Sequence, residues 1–235
     1  MEEMVYEEKV ILKEEDFQEG RMTFYAIFSY FQHLAVVHAE LLGLGFQPTF
    51  EKGFYWVLVK NRCDIISMPK LGQTIRMVTW PLENPRVDCG REFAFYDEQG
   101  NALIRGISRW ALIDIHTFRI YPAKNVSFPG TYKKSEYPSE KPFDLIPYLP
   151  EDSLGEREIS SEDIDGNHHT NNTKYVLFAE EKEERMKGYS KFQIDFVNQS
   201  FLHDVLSITR GDHAVFGSIG EKIIFRVSYG DSDIF

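Results

Sequence analysis

Cysteine is scarce in this chain: two among 235 residues, Cys63 and Cys89. Two thiols exclude a disulfide-stapled scaffold and a four-cysteine zinc site. Long hydrophobic runs are also missing. No stretch approaches the roughly 18 apolar residues that span a bilayer, and the longest charge-free run, Phe24 to Ala39, is broken by Gln32, His33 and His38. Positive charge is in deficit, with 26 Lys+Arg against 37 Asp+Glu and a net charge of −11. That deficit argues against DNA or RNA as a partner, because phosphate contacts need clustered Lys and Arg. The first residues, MEEMVYEEKVILKEED, are acidic where a signal peptide would be basic and then apolar. The expectation is a cytoplasmic chain in a reducing setting, in which the sequons at Asn125, Asn171 and Asn198 carry no glycan.

What is present is organised twice over. Phe24, Ile27, Phe28, Phe31, Leu34, Ala35, His38, Leu41 and Leu42 recur at helical spacing and predict a helix over Thr23–Leu44, closed at Gly43. Strand-like segments follow at 56–65, 74–80, 89–97 and 102–114, with a short continuation at 118–121. Then five of the ten prolines fall between Pro129 and Pro150, as in an extended linker over a surface. Beyond it the pattern begins again, with a helix over about 171–187 and strands at 191–197, 205–210, 213–219 and 223–229. A helix followed by a β-meander, repeated, predicts an α+β tandem (double) hot-dog, each half a central helix wrapped by an antiparallel sheet. The expected divisions are 1–127 for an N-terminal domain, 128–152 for the linker and 153–235 for a C-terminal domain.

The densest polar cluster precedes the second helix: Asp163-Ile164-Asp165-Gly166-Asn167-His168-His169-Thr170-Asn171-Asn172-Thr173-Lys174-Tyr175. In an extended segment Asp165, Asn167 and His169 project to one side, close to a helix N-terminus that favours developing negative charge. A carboxylate, a carboxamide and an imidazole placed there suit acyl transfer. The same residues could equally serve as helix caps and turns. The approach to the first helix, Glu19-Gly20-Arg21-Met22-Thr23, has no such cluster, so starting a helix does not require one.

This run resembles the D-x-D-x-N-x-H-V-N-N-x-K-Y motif of fatty acyl-ACP thioesterases, with Thr170 in place of valine. The likeness extends to His38-Ala39-Glu40-Leu41-Leu42-Gly43-Leu44-Gly45 and to Ser108-Arg109-Trp110-Ala111-Leu112-Ile113-Asp114 followed by Thr117-Phe118-Arg119. The resemblance implies a thioester hydrolase of bacterial type that releases free fatty acid from acyl carrier protein, with Asp165, Asn167 and His169 catalytic. It also points to Ile194-Asp195-Phe196-Val197-Asn198-Gln199-Ser200, where the family carries L-E-Y-x-x-E-C. Gln199 then stands in place of a glutamate and Ser200 in place of a cysteine. A glutamine orients water or donates a hydrogen bond but is no general base. An acyl-CoA thioesterase and a non-catalytic acyl-binding module are the alternatives.

No cofactor is expected. Consecutive side chains in an extended stretch point apart, so His168 and His169 with His203 or His213 make a poor metal set. Phe24, Phe28, Phe31, Trp56, Trp80 and Trp110 supply apolar surface for an acyl chain or for the core. Arg76, Arg86, Arg91, Arg105, Arg109 and Arg119, with Lys133 and Lys134, are either a docking patch for an acidic carrier protein or strand residues paired with local acids.

Overall fold

In the computed structural model, described over residues 2–83, 88–139 and 141–231, the chain forms one ten-stranded sheet carrying two long helices. Arg86 and the Ser232-Asp233 tail lie outside the described residues. Strand β1 (Tyr6–Ile11) and the short ribbon of β2 (Phe17–Gln18) with β3 (Arg21–Met22) lead into α1 (Phe24–Leu41). A single-turn helix α2 (Phe46–Glu51) precedes β4 (Phe54–Ile65), β5 (Thr74–Pro81), β6 (Asp88–Tyr96) and β7 (Ala102–Asp114). The second half contains β8 (Asp152–Glu158), α3 (Asn172–Lys182), β9 (Lys191–Phe196), β10 (Val205–Gly211), β11 (Ala214–Ile219) and β12 (Lys222–Gly230).

The strand order is β1-β5-β6-β7-β4-β9-β12-β11-β10-β8, antiparallel throughout. Leaving the β2–β3 ribbon aside, each half has the same arrangement: its first strand at the outer edge, its last three inside, and the strand after its helix at the centre. The tandem hot-dog reading is correct, and the two halves meet where β4 pairs with β9, from Lys60 opposite Asp195 to Asp64 opposite Lys191. An ion pair crosses that seam, Lys60 Nζ to Asp195 Oδ2 at 2.7 Å.

Helix α1 starts at Thr23, whose hydroxyl accepts the Ala26 amide at 3.0 Å as an N-cap. Its apolar face packs on the sheet and on α3. Phe31 stacks on Phe93 with ring centroids 4.3 Å apart, and Phe28 meets Phe192 edge-on at 5.2 Å. Gly106 on β7 makes room for this: a Cβ there would come within 2.2 Å of the Phe31 ring. The helix is shorter than its hydrophobic stripe suggested. Leu41 is exposed, and the chain turns at Gly43 with φ +67°.

Three further sequence expectations are corrected. The second helix ends at Lys182 and passes into a 3₁₀ turn over Glu184–Gly188. The strand expected over 118–121 is reduced to one antiparallel bridge, Ile120 opposite Ile113, because Asp114 Oδ1 takes the amides of His116 and Thr117 and folds the chain back on itself. α2 escaped notice because six residues behind Gly45 with Pro48 inside carry little helical signal.

The proline-rich stretch is pinned across the outer face of the sheet. The Tyr137 hydroxyl bonds the Asp64 carboxylate, the Pro142 carbonyl accepts from Arg62 Nη1 at 2.7 Å, and Asp144 exchanges two bonds with the Gln193 side chain. The Ile146 carbonyl accepts from Arg226 and its side chain is buried against Phe216. Arg62 and Asp64, themselves paired at 2.9 Å, are buried beneath it.

Candidate active site

The run from Asp165 to His169 is a tight loop, not an extended segment. Ile164 and Thr170 close it as a bridge, the Asp165 amide donates to the His169 carbonyl at 2.9 Å, and the His168 amide donates to the Asp165 carbonyl at 3.1 Å. His168 adopts φ +63° to complete the turn. The Asp165 carboxylate faces into the loop, where Oδ1 accepts the Asn167 amide at 2.8 Å and the His169 amide at 3.4 Å. The three residues are brought together by closure of a turn, with one carboxylate oxygen engaged and the other open.

The base of the loop is built on buried hydroxyls. Thr170 donates its amide to the Ser200 carbonyl at 3.0 Å, and the two hydroxyls lie 2.8 Å apart. The Tyr175 hydroxyl reaches Ser200 Oγ at 2.9 Å and accepts the Ser200 amide at 3.1 Å. On the other side, buried Asp163 accepts from the amide and hydroxyl of Ser160 and lies near Arg157 and Lys174. Its carboxyl stays below the usual range because those hydrogen bonds and cations outweigh the burial that raises it. Asn171 caps α3 through the Thr173 amide at 3.0 Å.

Gln199 is exposed and immediately precedes Ser200, whose carbonyl accepts the Thr170 amide at the base of the loop. Its carbonyl accepts from Lys222 Nζ at 2.9 Å. The His169 ring rests edge-on against Phe201 with centroids 5.2 Å apart. Neither thiol belongs to the loop, although Cys89 is in the lining of the adjoining cavity. Cys63 is fully buried and held strongly toward the thiol form, while burial pushes Cys89 up to about 12. No group of three or more His, Cys, Asp or Glu side chains suited to a metal ion occurs among the described residues.

A cavity of about 210 Å³ opens beside the loop. Its walls come mainly from the first half, chiefly α1 from Ala35 onward, Leu44, Phe46, Trp56, Arg91 and Trp110, with Phe128 from the linker, and among the described residues Asn167 is the one second-half member of its lining. The arrangement presents an apolar slot with a carboxamide at its wall and a carboxylate and an imidazole on the same turn. Thr170, Tyr175 and Ser200 stand in the motifs, but their bonds to one another, and the cavity wall as a unit, were beyond reach of motif reasoning, since only folding brings them together.

Among the described residues, Arg119 and Lys134 are exposed, but the other cations named from the sequence do not form an open patch. Arg91 is buried, Arg76 pairs with Glu7, Arg105 and Lys133 with Glu136, and Arg109 lies 3.9 Å from Asp88. Local pairing accounts for most of them.

Residues 3–125 match the family described as the acyl-ACP thioesterase N-terminal domain. An acyl-[acyl-carrier-protein] hydrolase of Cuphea viscosissima chloroplasts is 26% identical over 175 residues, covering 63% of this chain and 39% of that protein. A chloroplastic palmitoyl-acyl carrier protein thioesterase of Arabidopsis thaliana is 25% identical over 178 residues, covering 64% and 40%. The chain thus spans about two fifths of the length of the curated relatives it matches. Among solved structures, an acyl-ACP thioesterase from Bacteroides thetaiotaomicron superposes with a TM-score of 0.85 at 20% identity over 96% of this chain and 97% of that one. The 12:0-ACP thioesterase of Umbellularia californica does so at 0.80 and 18% over 98% of each. The structural likeness carries the fold and the match over residues 3–125 carries the family: this chain belongs to the acyl-ACP thioesterases.

Proposed function

We propose that the chain hydrolyses fatty acyl thioesters of acyl carrier protein to free fatty acid and holo-carrier. The observation that carries this reading is Asn167, a member of the polar loop that also lines an apolar cavity built by the other half of the chain. An acyl chain held in that cavity brings its thioester to the loop. Asp165 there activates water for attack on the carbonyl carbon, or attacks it directly to give a mixed anhydride that water then cleaves to free fatty acid and Asp165. The C–S bond breaks, and His169 supports the departing sulfur as it takes up a proton. Asn167 positions the reacting groups, and Gln199 assists as a neutral donor.

In this reading residues 1–127 hold the chain, 128–152 link and 153–235 act. We place the enzyme in a reducing, cytoplasmic, bacterial setting, which its two free cysteines suit. Single-turnover hydrolysis of acyl-carrier protein and acyl-CoA of matched chain length tests the function. Faster release from the carrier protein is the expected result, and faster release from CoA would redirect the assignment to that substrate. Acyl binding without hydrolysis of either would make the chain a binding module. Asp165→Asn should cut turnover at least about a hundredfold, and near-wild-type turnover would remove Asp165 from the chemistry.

A further inference from the structure

The cavity contains a feature that a plain hydrocarbon chain does not need. Arg91 on β6 lines it and is 8% exposed. Its Nη1 lies 3.0 Å from His38 Nδ1 and donates to the Thr79 hydroxyl at 3.2 Å. Neither neighbour supplies negative charge. His38 is buried too, and burial with the neighbouring guanidinium lowers it to about 4, so its Nδ1 is an acceptor on a neutral ring at physiological pH. Burial lowers Arg91 itself to about 10, which leaves it a cation at neutral pH.

No carboxylate pairs with Arg91 among the described residues. Glu40, the acid in the cavity lining, instead accepts the Phe46 amide at 3.2 Å. A buried cation without a counter-ion is costly, and the cost is relieved when an acceptor oxygen arrives in the same low-dielectric space. The rest of the cavity lining is largely apolar, with Leu44, Trp56, Trp110 and Phe128 among it, so the missing partner has to enter with the ligand.

We propose that the cavity selects acyl chains bearing an acceptor oxygen, a carboxylate or a hydroxyl, which docks on the Arg91 guanidinium. The proposal rests on the thioesterase reading for how the chain is delivered, but the selection itself can be measured without turnover. Trp56 and Trp110 line the cavity and report occupancy by fluorescence. Methyl decanoate, methyl ω-hydroxydecanoate and the monomethyl ester of decanedioic acid, whose ester groups mask the head carboxylate, are titrated into the full chain. The oxygenated chains should bind at least about tenfold more tightly than methyl decanoate, the monoester of the diacid leading if the preferred oxygen is anionic and the hydroxy ester if it is neutral. Equal or tighter binding of methyl decanoate overturns the proposal in the unmodified protein, with no variant required.

The matching carrier-protein thioesters give the second readout. In Arg91→Met, with Arg91→Lys as the milder replacement, the ratio of kcat/KM for oxygenated over plain chains should fall about tenfold. An equal loss on every chain would assign Arg91 to the thioester or to the fold and overturn the proposal. If no thioester is hydrolysed, the thioesterase reading fails, and the fluorescence titration still decides whether the cavity prefers oxygen.

Discussion

The carboxylate of Glu180, on α3, lies across the first turn of α1 and takes the Phe24 amide at 2.7 Å. Its second oxygen takes the Tyr25 amide at 2.8 Å. One half of the chain thereby caps the helix of the other, satisfying two of the donors that a helix start leaves open. Burial wins over those bonds and raises Glu180 from 4.5 to about 7.

The pH dependence follows from that shift. Unfolded, Glu180 ionises near 4.5, whereas folded it keeps its proton to about 7. Its contribution is therefore complete below the lower value and lost as pH rises through the upper one, by up to about 3 kcal/mol. Glu180→Gln cannot titrate. Urea unfolding across this range should show wild type losing stability relative to the variant as pH rises. Parallel curves would show that Glu180 is not shifted.

Thr170 and Ser200 stand where the family motif has valine and cysteine, and their hydroxyls bond to each other at 2.8 Å. The two departures form one unit. Thr170→Val or Ser200→Cys alone should cost about 1–2 kcal/mol by leaving a buried hydroxyl short of a partner. The double variant should recover about 1 kcal/mol of the summed loss. Strict additivity in a denaturation cycle would show that the bond is energetically idle.

Gly106 is required by packing. The Phe31 ring that covers it is wedged between Phe93, stacked at 4.3 Å, and Phe95, edge-on at 5.4 Å, and cannot retreat. Gly106→Ala should lower stability by about 1–3 kcal/mol, and Phe31→Leu in the same chain should restore part of it. An unchanged melting temperature for the single variant would contradict this.

Gln199→Glu supplies a carboxylate beside the Asp165–His169 loop. With Asp165 intact, kcat should rise about tenfold or more, and an acidic limb should appear in the pH–rate profile as the new group ionises. A fall in kcat would show glutamine to be the fitted residue. No change would place position 199 outside the reaction.

The repeat of helix and meander was legible because each element buries one face and keeps its period. The motif loop was legible by residue type, though its shape was not: Asp165 turns inward to close a loop, and alternation says nothing of that. Arg91 misled for a related reason. β6 is covered on both faces, by the core on one side and by the proline-rich stretch on the other, so every residue from Cys89 to Phe95 is buried and no alternation marks Arg91 as inward. Glu92, its neighbour, faces the other way and is held by Ser135 and the Glu136 amide. The meeting of Asn167 with a cavity in the other half depends on docking across the seam, which no local pattern encodes.

The β4–β9 seam has a consequence for how such a chain can change over time. Between separate chains the same pairing would dissolve on dilution, and if those chains were identical every substitution would appear on both sides of it. The covalent connection holds the partners at an effective concentration on the order of millimolar and breaks that symmetry. Each half is copied once and answers to a single neighbour, so a polar loop can be kept in one and a cavity carved in the other without either change being forced on its twin.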